Sequence, residues 1–203
     1  MQRETEEATP GTTAVSRVIE LGSASFRTHL ERALLCTQPL KTNGTPEPFS
    51  CVALFPSGEL VAADGTILYA GRLAPSLPVQ GNYLLLHPTA LKDLVKILEK
   101  RAEYRVLLDL EGLTVQYMQY TISLKAVNQR FPRYEEAFHL EGKEIAPGEG
   151  LPEYAGDELG KVGKMVRDKH RVRIEARPPG EPTYYTIVGE TPGRGCFMPF
   201  NRG

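Results

Sequence analysis

The sequence predicts an α+β fold built from repeated βαβββ units, with helices on one face of antiparallel sheets. Two observations support this prediction. Segments with a helical spacing of apolar residues alternate with groups of short strands that are separated by turn signals. The same order recurs three times along the 203 residues, in passes of roughly 50 to 65 residues. Because helices and hairpins also alternate in unrelated α+β folds, the pattern alone leaves coincidence open.

The first unit begins with a strand at residues 17–21, and the hydroxyls of Ser23 and Ser25 favour a helix N-cap directly after it. Phe26, Leu30 and Leu34 then recur at helical spacing, which predicts a helix with one buried stripe. Three strands follow at residues 50–55, 59–63 and 66–73. The turns between them are predicted from Pro-Ser-Gly at 56–58 and Asp-Gly at 64–65.

The second and third units repeat this order. The second has a strand at 83–86, Pro88 in the first turn of a helix whose apolar stripe extends from Leu91 to Ala102, and strands at 104–110, 113–119 and 120–127. Residues 141–152 are rich in glycine and proline and predict a linker. The third unit has a helix around Val162 and strands at 171–176, 183–188 and 195–200.

Composition excludes several classes of protein. Lysine and arginine total 24 against 25 acidic residues, so bulk charge attracts neither nucleic acid nor basic partners, and any DNA contact must come from local clustering. Three widely spaced cysteines in apolar surroundings are typical of reduced core thiols in a cytoplasmic protein. The acidic, polar start has no apolar signal-peptide core, and no apolar run approaches the roughly 20 residues of a membrane span. We therefore expect a cytoplasmic protein.

Enzymatic chemistry has little support in the sequence. Cys-x-x-Cys, His-x-x-x-His, Gly-x-Ser-x-Gly and Gly-x-x-x-x-Gly-Lys-Ser/Thr motifs are all missing. The four histidines are scattered, and none has a partner at metal-ligand spacing. We expect no catalytic residues, no metal and no cofactor.

Four short sequences, in order along the chain, resemble landmarks of the bacterial beta sliding clamp family. Residues 60–68 (LVAADGTIL) are similar to the family's VATDGHRLA, residues 84–94 to its entry into a clamp helix, residues 131–138 (FPRYEEAF) to its FPDYrrvlP segment, and residues 197–200 (FMPF) to its C-terminal MPMRL. Each has a local explanation, since Asp-Gly favours a hairpin turn and Tyr134 can anchor a segment by burying its ring. Their order and spacing together indicate a DNA-clamp fold.

The resemblance implies a division of the chain. Residues 1–13 would be a disordered tail, 14–140 a complete clamp-like domain of two units, 141–153 a linker, and 154–203 half of a second clamp-like domain. Clamps close a ring by pairing their first and third domains. Because the first domain and half of the third have no counterpart here, closure of a ring in the usual way is in doubt.

The resemblance also implies a groove that binds partner peptides, located in clamps where the middle and last domains meet. Carried over by position, it would involve Thr66, Leu68, His139, Cys196, Met198 and Phe200. Such a groove binds an extended motif with apolar anchors. Thr66 and Ile67 stand where clamps prefer His and Arg, and His139 where they prefer Pro, so the rim and the ligand preference would differ. Ordinary core or hairpin packing remains the alternative for these residues.

Clamps hold double-stranded DNA loosely through basic side chains on the helices that line the ring. The corresponding DNA-facing candidates are Arg27, Arg32, Lys92, Lys96, Lys100, Lys161, Lys164 and Arg167. A solvated helix face is the alternative explanation of this basic character.

The resulting hypothesis is a processivity factor, carried by a phage or plasmid, that tethers a DNA polymerase or another clamp-binding protein to double-stranded DNA. It would need to form a homo-oligomer in order to surround DNA. The second hypothesis is a clamp-like protein-binding module or regulator that does not encircle DNA. The third is an α+β protein unrelated to clamps.

Overall fold

The computed structural model describes residues 18–41, 44–100, 103–138, 156–166, 170–178 and 181–197. These residues form three α-helices and eleven strands, in the order β1-α1-β2-β3-β4, β5-α2-β6-β7-β8 and α3-β9-β10-β11. The helices are α1 (Ser23–Leu35), α2 (Pro88–Ile97) and α3 (Gly156–Met165). The strands are β1 (Val18–Gly22), β2 (Val52–Leu54), β3 (Glu59–Ala63), β4 (Ile67–Arg72), β5 (Leu84–Leu86), β6 (Arg105–Asp109), β7 (Thr114–Tyr117), β8 (Tyr120–Ser123), β9 (Arg171–Glu175), β10 (Thr183–Val188) and β11 (Gly193–Phe197).

The start of α1 differs from the prediction in its capping. The N-cap residue is Gly22 and it makes no side-chain capping bond. The Ser23 hydroxyl instead accepts a hydrogen bond from the backbone N–H of Tyr104 at 3.0 Å, and the Ser23 N–H donates to the Tyr104 carbonyl at 2.9 Å. Ser23 therefore connects the start of α1 to the segment that leads into β6.

Helix α2 begins as predicted, with Pro88 in its first turn and the His87 ring accepting the Thr89 N–H. It is shorter than predicted, because the chain leaves the helix at Leu98, whose ψ is 125°. Leu98 is still buried, so the apolar stripe continues past the helix end. The side chain of Arg27 in α1 donates to the carbonyls of Val95 and Leu98, which satisfies oxygens exposed at this C-terminus.

The strands form two antiparallel sheets. One has four strands in the order β1-β6-β7-β8, and the other has seven in the order β5-β2-β3-β4-β11-β10-β9. The first strand of each of the first two units joins the three strands of the other unit, because β1 pairs with β6 and β5 pairs with β2. The two units therefore exchange their first strands, and they have the same order of elements.

The third unit joins the first edge to edge, where β11 pairs antiparallel with β4. The register is Gly193–Gly71, Arg194–Ala70, Gly195–Tyr69, Cys196–Leu68 and Phe197–Ile67. We call this pairing the junction. Each is the last strand of its unit, so the pairing continues the sheet across two repeats.

Two core layers cover opposite faces of the seven-stranded sheet. Along β4, Ile67 and Tyr69 belong to the layer beneath the helices, whereas Leu68 and Ala70 belong to the layer on the other side, which we call the outer face. This alternation follows from the period of two in a strand. The helix-side layer also includes residues of the four-stranded sheet, so one continuous core holds both sheets and all three helices together.

The α+β prediction of repeated units with helices on one face of antiparallel sheets is therefore confirmed. The predicted tail, residues 1–13, lies outside the described residues, and so does the linker at 141–153, so the domain boundaries stay a prediction. No helix in the described part of the chain is long and apolar enough to cross a membrane.

Replacing Gly195 by alanine should weaken the junction. A Cβ there would lie 2.0 Å from the Leu68 carbonyl oxygen and 2.3 Å from the Tyr185 hydroxyl, which donates to that same carbonyl at 2.8 Å. We expect Gly195→Ala to lower the free energy of unfolding by about 2 kcal/mol, measured as a lower midpoint in urea at unchanged slope.

Gly163→Ala on α3 is the matched control. A Cβ at Gly163 meets no atom within 4 Å, so this change should stabilise the protein by up to about 1 kcal/mol through helix propensity. Equal effects of the two substitutions would contradict the close approach of β11 to β4.

Candidate functional site

The candidate site lies on the outer face at the junction. Leu68 and Cys196 are direct cross-strand partners there, and both are buried within the outer-face core layer. Burial raises the pKa of the Cys196 thiol to about 11, so the sulfur remains protonated near neutral pH. Leu68 and Cys196 thus form an apolar floor and not a reactive centre.

The segment Phe131–Phe138 packs on this face beside the floor. Phe131 and Tyr134 are both about 3% exposed, and they surround Phe55, whose ring centroid is 6.1 Å from Phe131 and 4.5 Å from Tyr134. The Phe131 N–H donates to the Tyr83 hydroxyl at 2.9 Å. These aromatic contacts fix the position of the segment, as the sequence predicted for Tyr134.

The buried carboxylate of Glu59 connects the Phe131–Phe138 segment to strands β3 and β11. Glu59 of β3 is 8% exposed; its carboxylate accepts the Tyr134 hydroxyl at 2.7 Å and the Arg194 guanidinium at 3.0 Å. Burial alone would raise the pKa of Glu59, but the hydrogen bond from Tyr134 and the charge of Arg194 outweigh it and lower the pKa below its usual value. Glu59 therefore stays ionised at neutral pH, linking the first unit, the segment and β11.

The end of the segment contacts the third unit through aromatic stacking. The Phe138 ring stacks on Tyr184 of β10 at 6.2 Å, and the Tyr184 hydroxyl donates to the Ala137 carbonyl at 2.8 Å. The Arg194 guanidinium lies 4.4 Å from the centre of the Phe138 ring. The wall of the site therefore extends from β3 across β11 to β10.

Thr66 lies at the tip of the β3–β4 hairpin and is exposed. Its N–H and hydroxyl both donate to the Asp64 carboxylate, at 2.9 and 2.8 Å. The other carboxylate oxygen of Asp64 pairs with Lys161 of α3. Burial would raise the pKa of Asp64, but the bond from Lys161 and the backbone N–H groups lower it. The ion pair between Asp64 and Lys161 therefore holds the hairpin tip against the third unit.

The structure brings together only part of the predicted groove. Leu68 and Cys196 share the floor, and Thr66 lies at the hairpin tip two residues before Leu68. His139, Met198 and Phe200 lie outside the described residues. Ile67, which stands where clamps prefer Arg, is 1% exposed in the core beneath the helices, so it faces away from the outer face.

Sequence reasoning missed three residues of this site, namely Glu59, Tyr184 and Arg194. Glu59 and Arg194 interact across 135 positions of sequence, and strand periodicity carries no signal for such a pair. Only the alternation along β10, which puts Tyr184 on the outer face opposite Tyr185, was available as a clue.

Two predicted DNA-facing residues on α1 are structural instead. Arg32 is 2% exposed and donates to the carbonyls of Met165, at 2.9 Å, and Thr191. The side chain of Arg27 is 12% exposed; it pairs with Glu31 and donates to carbonyls at the end of α2. The predictions for Arg27 and Arg32 are corrected because these guanidinium groups connect helices and do not face solvent.

The remaining basic candidates differ in their availability. Lys161 is engaged by Asp64, whereas Lys92 and Lys164 are exposed on α2 and α3. Lys96 is exposed and paired with Asp93 at 2.7 Å, and exposed Lys100 lies beyond the end of α2. Arg167 lies outside the described residues. The helix side thus presents fewer free cations than the sequence predicted.

Within the described ranges, no group of three or more His, Cys, Asp or Glu side chains could hold a metal ion. The buried His29 ring bonds to the Tyr69 hydroxyl at 2.8 Å, and burial lowers the pKa of His29 to about 4, so it is neutral near pH 7. The chemistry that the outer face offers is apolar contact, aromatic stacking and a rim with charged side chains.

Comparison with known proteins identifies the fold. No family model and no curated protein matches the sequence. Solved structures do match: a sliding clamp (DNA polymerase III subunit beta) from Bartonella birtlesii bound to griselimycin has a TM-score of 0.73 at 13% identity, over 97% of this chain and 69% of that one. The DNA polymerase sliding clamp of Pseudomonas aeruginosa has a TM-score of 0.70 at 15% identity, over 95% and 68%. The DNA polymerase III beta subunit of Thermotoga maritima has a TM-score of 0.67 at 13% identity, over 98% and 69%.

These similarities confirm the predicted DNA-clamp fold. At 13 to 15% identity they establish the fold alone, in a divergent clamp-like chain.

Tyr134→Phe should destabilise the outer-face segment. The change removes the hydroxyl that donates to Glu59 and leaves a buried carboxylate oxygen without that partner. We expect a loss of about 1 to 3 kcal/mol in the free energy of unfolding, measured by urea denaturation. Tyr120→Phe, at a residue that is 45% exposed, is the matched control and should change stability by less than about 0.5 kcal/mol. An equal, small effect at both positions would show that the Glu59 contact contributes nothing.

Proposed function

We propose, starting from its sliding-clamp fold, that this protein is a clamp-like DNA replication processivity factor. It tethers a DNA polymerase or another clamp-binding protein through an apolar groove on the outer face, and it performs no chemistry of its own. The observation that carries the proposal is the pairing of Leu68 with Cys196 beside the aromatic segment Phe131–Phe138. Both side chains are buried beneath the outer face where the third unit joins the first, so they would support such a groove from below.

The ligand that fits such a surface is an extended peptide with apolar anchors. Cys196 and Leu68 supply the floor, and Met198 and Phe200, two and four residues after Cys196 in the sequence, are the further apolar anchors that the resemblance implies. Thr66 and His139 complete the proposed groove. Since Thr66 presents a hydroxyl where clamps prefer His, the preferred motif differs from that of the host clamp.

The proposed division of the chain agrees with this role. Residues 14–140 would form a complete clamp-like domain and residues 154–203 half of another, connected by residues 141–153. The protein would act in the cytoplasm, beside the replication machinery. Encircling DNA would require several copies, since one chain supplies three units.

Met198→Ala should weaken binding of a fluorescently labelled, extended peptide that carries the apolar motif recognised by sliding clamps. Loss of one anchor in a largely apolar groove should raise the dissociation constant by about tenfold, measured by fluorescence anisotropy. Met118→Ala is the matched control, because Met118 is 55% exposed beside the four-stranded sheet and outside the groove. The groove assignment is wrong if both variants bind the peptide as the parent does.

The contacts that the basic residues make within the protein favour a second function. Arg27, Arg32 and Lys161 are engaged by carbonyls or carboxylates of the protein itself, which leaves fewer cations for phosphates. A clamp-like module that keeps the peptide groove without encircling DNA, and that recruits or competes for clamp-binding proteins, agrees with this observation.

Retention on nicked circular DNA, compared with linear DNA, separates the two functions. A protein that encircles DNA stays on the circle and slides off free linear ends, and Lys92→Glu with Lys164→Glu should weaken its loading at low salt. Lys41→Glu, at an exposed residue before β2, is the control. Equal retention on both DNAs, together with intact peptide binding, would reject the processivity factor and retain the binding module.

A further inference from the structure

A pocket of about 430 Å³ lies on the outer face beside the start of the Phe131–Phe138 segment, and we call it the Arg130 pocket. It is lined by residues 130–133, by Glu136, and by Pro48 and Phe49 of the turn before β2. Phe49 and Phe131 pack in the outer-face core layer, so the pocket lies on the side of the sheet opposite the helices. Leu68 and Cys196, the floor of the proposed groove, do not line it. The Arg130 pocket is therefore a separate site.

The base of the pocket is aromatic and is held in place by the fold. The buried Phe131 ring makes edge contacts with Phe55 and Tyr83, at 6.1 and 6.3 Å between ring centroids. Phe49 is half-buried on the other side of the pocket, where its carbonyl accepts the Gln38 N–H at 2.8 Å. Because both walls are fixed, an aromatic side chain of a ligand would meet a surface that needs no ordering on binding.

One hydroxyl fixes the backbone on both sides of Arg130. The Tyr83 hydroxyl donates to the Gln129 carbonyl at 3.5 Å and accepts the Phe131 N–H at 2.9 Å. Arg130 itself is exposed, and within the described part of the chain its guanidinium makes no hydrogen bond or ion pair. The fold thus positions a cation without a partner of its own at the rim of an aromatic pocket.

A second guanidinium is available at the same rim. Arg133 pairs with Glu136 at 3.2 Å, and these two side chains are 73% and 69% exposed. Such exposed ion pairs contribute little to stability, so a carboxylate of a ligand can replace Glu136 as the partner of Arg133. Two cations and one carboxylate line the pocket, which gives it a net positive charge.

We propose that the Arg130 pocket binds an acidic segment of a partner protein, in which an aromatic side chain is flanked by carboxylates. The aromatic ring packs against Phe49 and Pro132, and the carboxylates pair with Arg130 and Arg133. A guanidinium binds a carboxylate through two parallel hydrogen bonds, which adds geometric specificity to the attraction. Since the pocket does not share the groove floor, it supplies a second point of contact with partner proteins.

Nucleic acid fits the pocket less well, although arginine also binds phosphates. A nucleic acid carries a charge at every nucleotide and is held by a row of cations. The pocket offers only Arg130 and Arg133, beside the carboxylates of Glu135 and Glu136, and the helices with their lysines lie on the opposite side of the sheet. A short acidic segment needs no more than these two cations.

Binding of a fluorescein-labelled peptide that contains Asp-Phe-Asp to the full-length chain, measured by fluorescence anisotropy, tests the proposal. Arg130→Glu should raise the dissociation constant about tenfold, because an attraction becomes a repulsion. Phe49→Leu keeps an apolar side chain but removes the ring, and it should raise the dissociation constant about fivefold. A Lys-Phe-Lys peptide should bind Arg130→Glu more tightly than it binds the parent, a reversal that damage to the fold would not produce.

Arg105→Glu, an equal charge change on an exposed strand residue of the other sheet, should leave binding of the Asp-Phe-Asp peptide unchanged. A parent that does not bind this peptide, binding that is insensitive to Arg130→Glu, or displacement of the peptide by an equal concentration of oligothymidylate would each overturn the proposal. Met198→Ala should not affect the Asp-Phe-Asp peptide, and Arg130→Glu should not affect the peptide with the clamp motif. Failure of this inference and failure of the proposed function are therefore distinguishable.

Discussion

The backbone pairing of β4 with β11 is the interaction on which the rest of the structure depends. It joins two strands that are 126 residues apart, counting from Ile67 to Gly193, and it converts separate repeats into one seven-stranded sheet. The close approach requires glycine, because the Tyr185 hydroxyl crosses Gly195 to reach the Leu68 carbonyl. Both proposed functions depend on this pairing, since the groove floor of Leu68 and Cys196 lies on it.

Buried polar groups reinforce the junction on both of its faces. On the outer face Glu59 accepts hydrogen bonds from Tyr134 and Arg194, and on the helix side Asp64 pairs with Lys161. Arg32 adds hydrogen bonds to carbonyls of the third unit. Such pairs contribute little net stability compared with apolar packing, but removing one partner leaves a buried charge and is costly. Their effect is to fix one relative arrangement of the units.

Local patterns predicted the elements well and the long-range contacts poorly. The Asp-Gly turn and the alternation along β3 and β4 follow from short-range sterics and periodicity, and the structure has both strands where the sequence indicated. The extent of α2 was overestimated, because buried Leu98 continues the apolar stripe after the helix has ended. Arg32 was assigned to solvent because a basic residue in a helix usually lies there, and only tertiary structure reveals that α3 covers it. Glu59 and Arg194 meet across the fold, so no local pattern could identify them.

Native-state hydrogen exchange of the backbone amides in β4 and β11 tests the central claim most directly. If the junction makes the first and third units one cooperative structure, the amides at residues 193–197 should exchange only through global unfolding, with the same free energy as the β3–β4 ladder. Exchange of residues 193–197 at a distinctly lower free energy than β3 and β4 would show that the third unit opens by itself. That result would contradict a fixed junction, and with it the groove that is built on the junction.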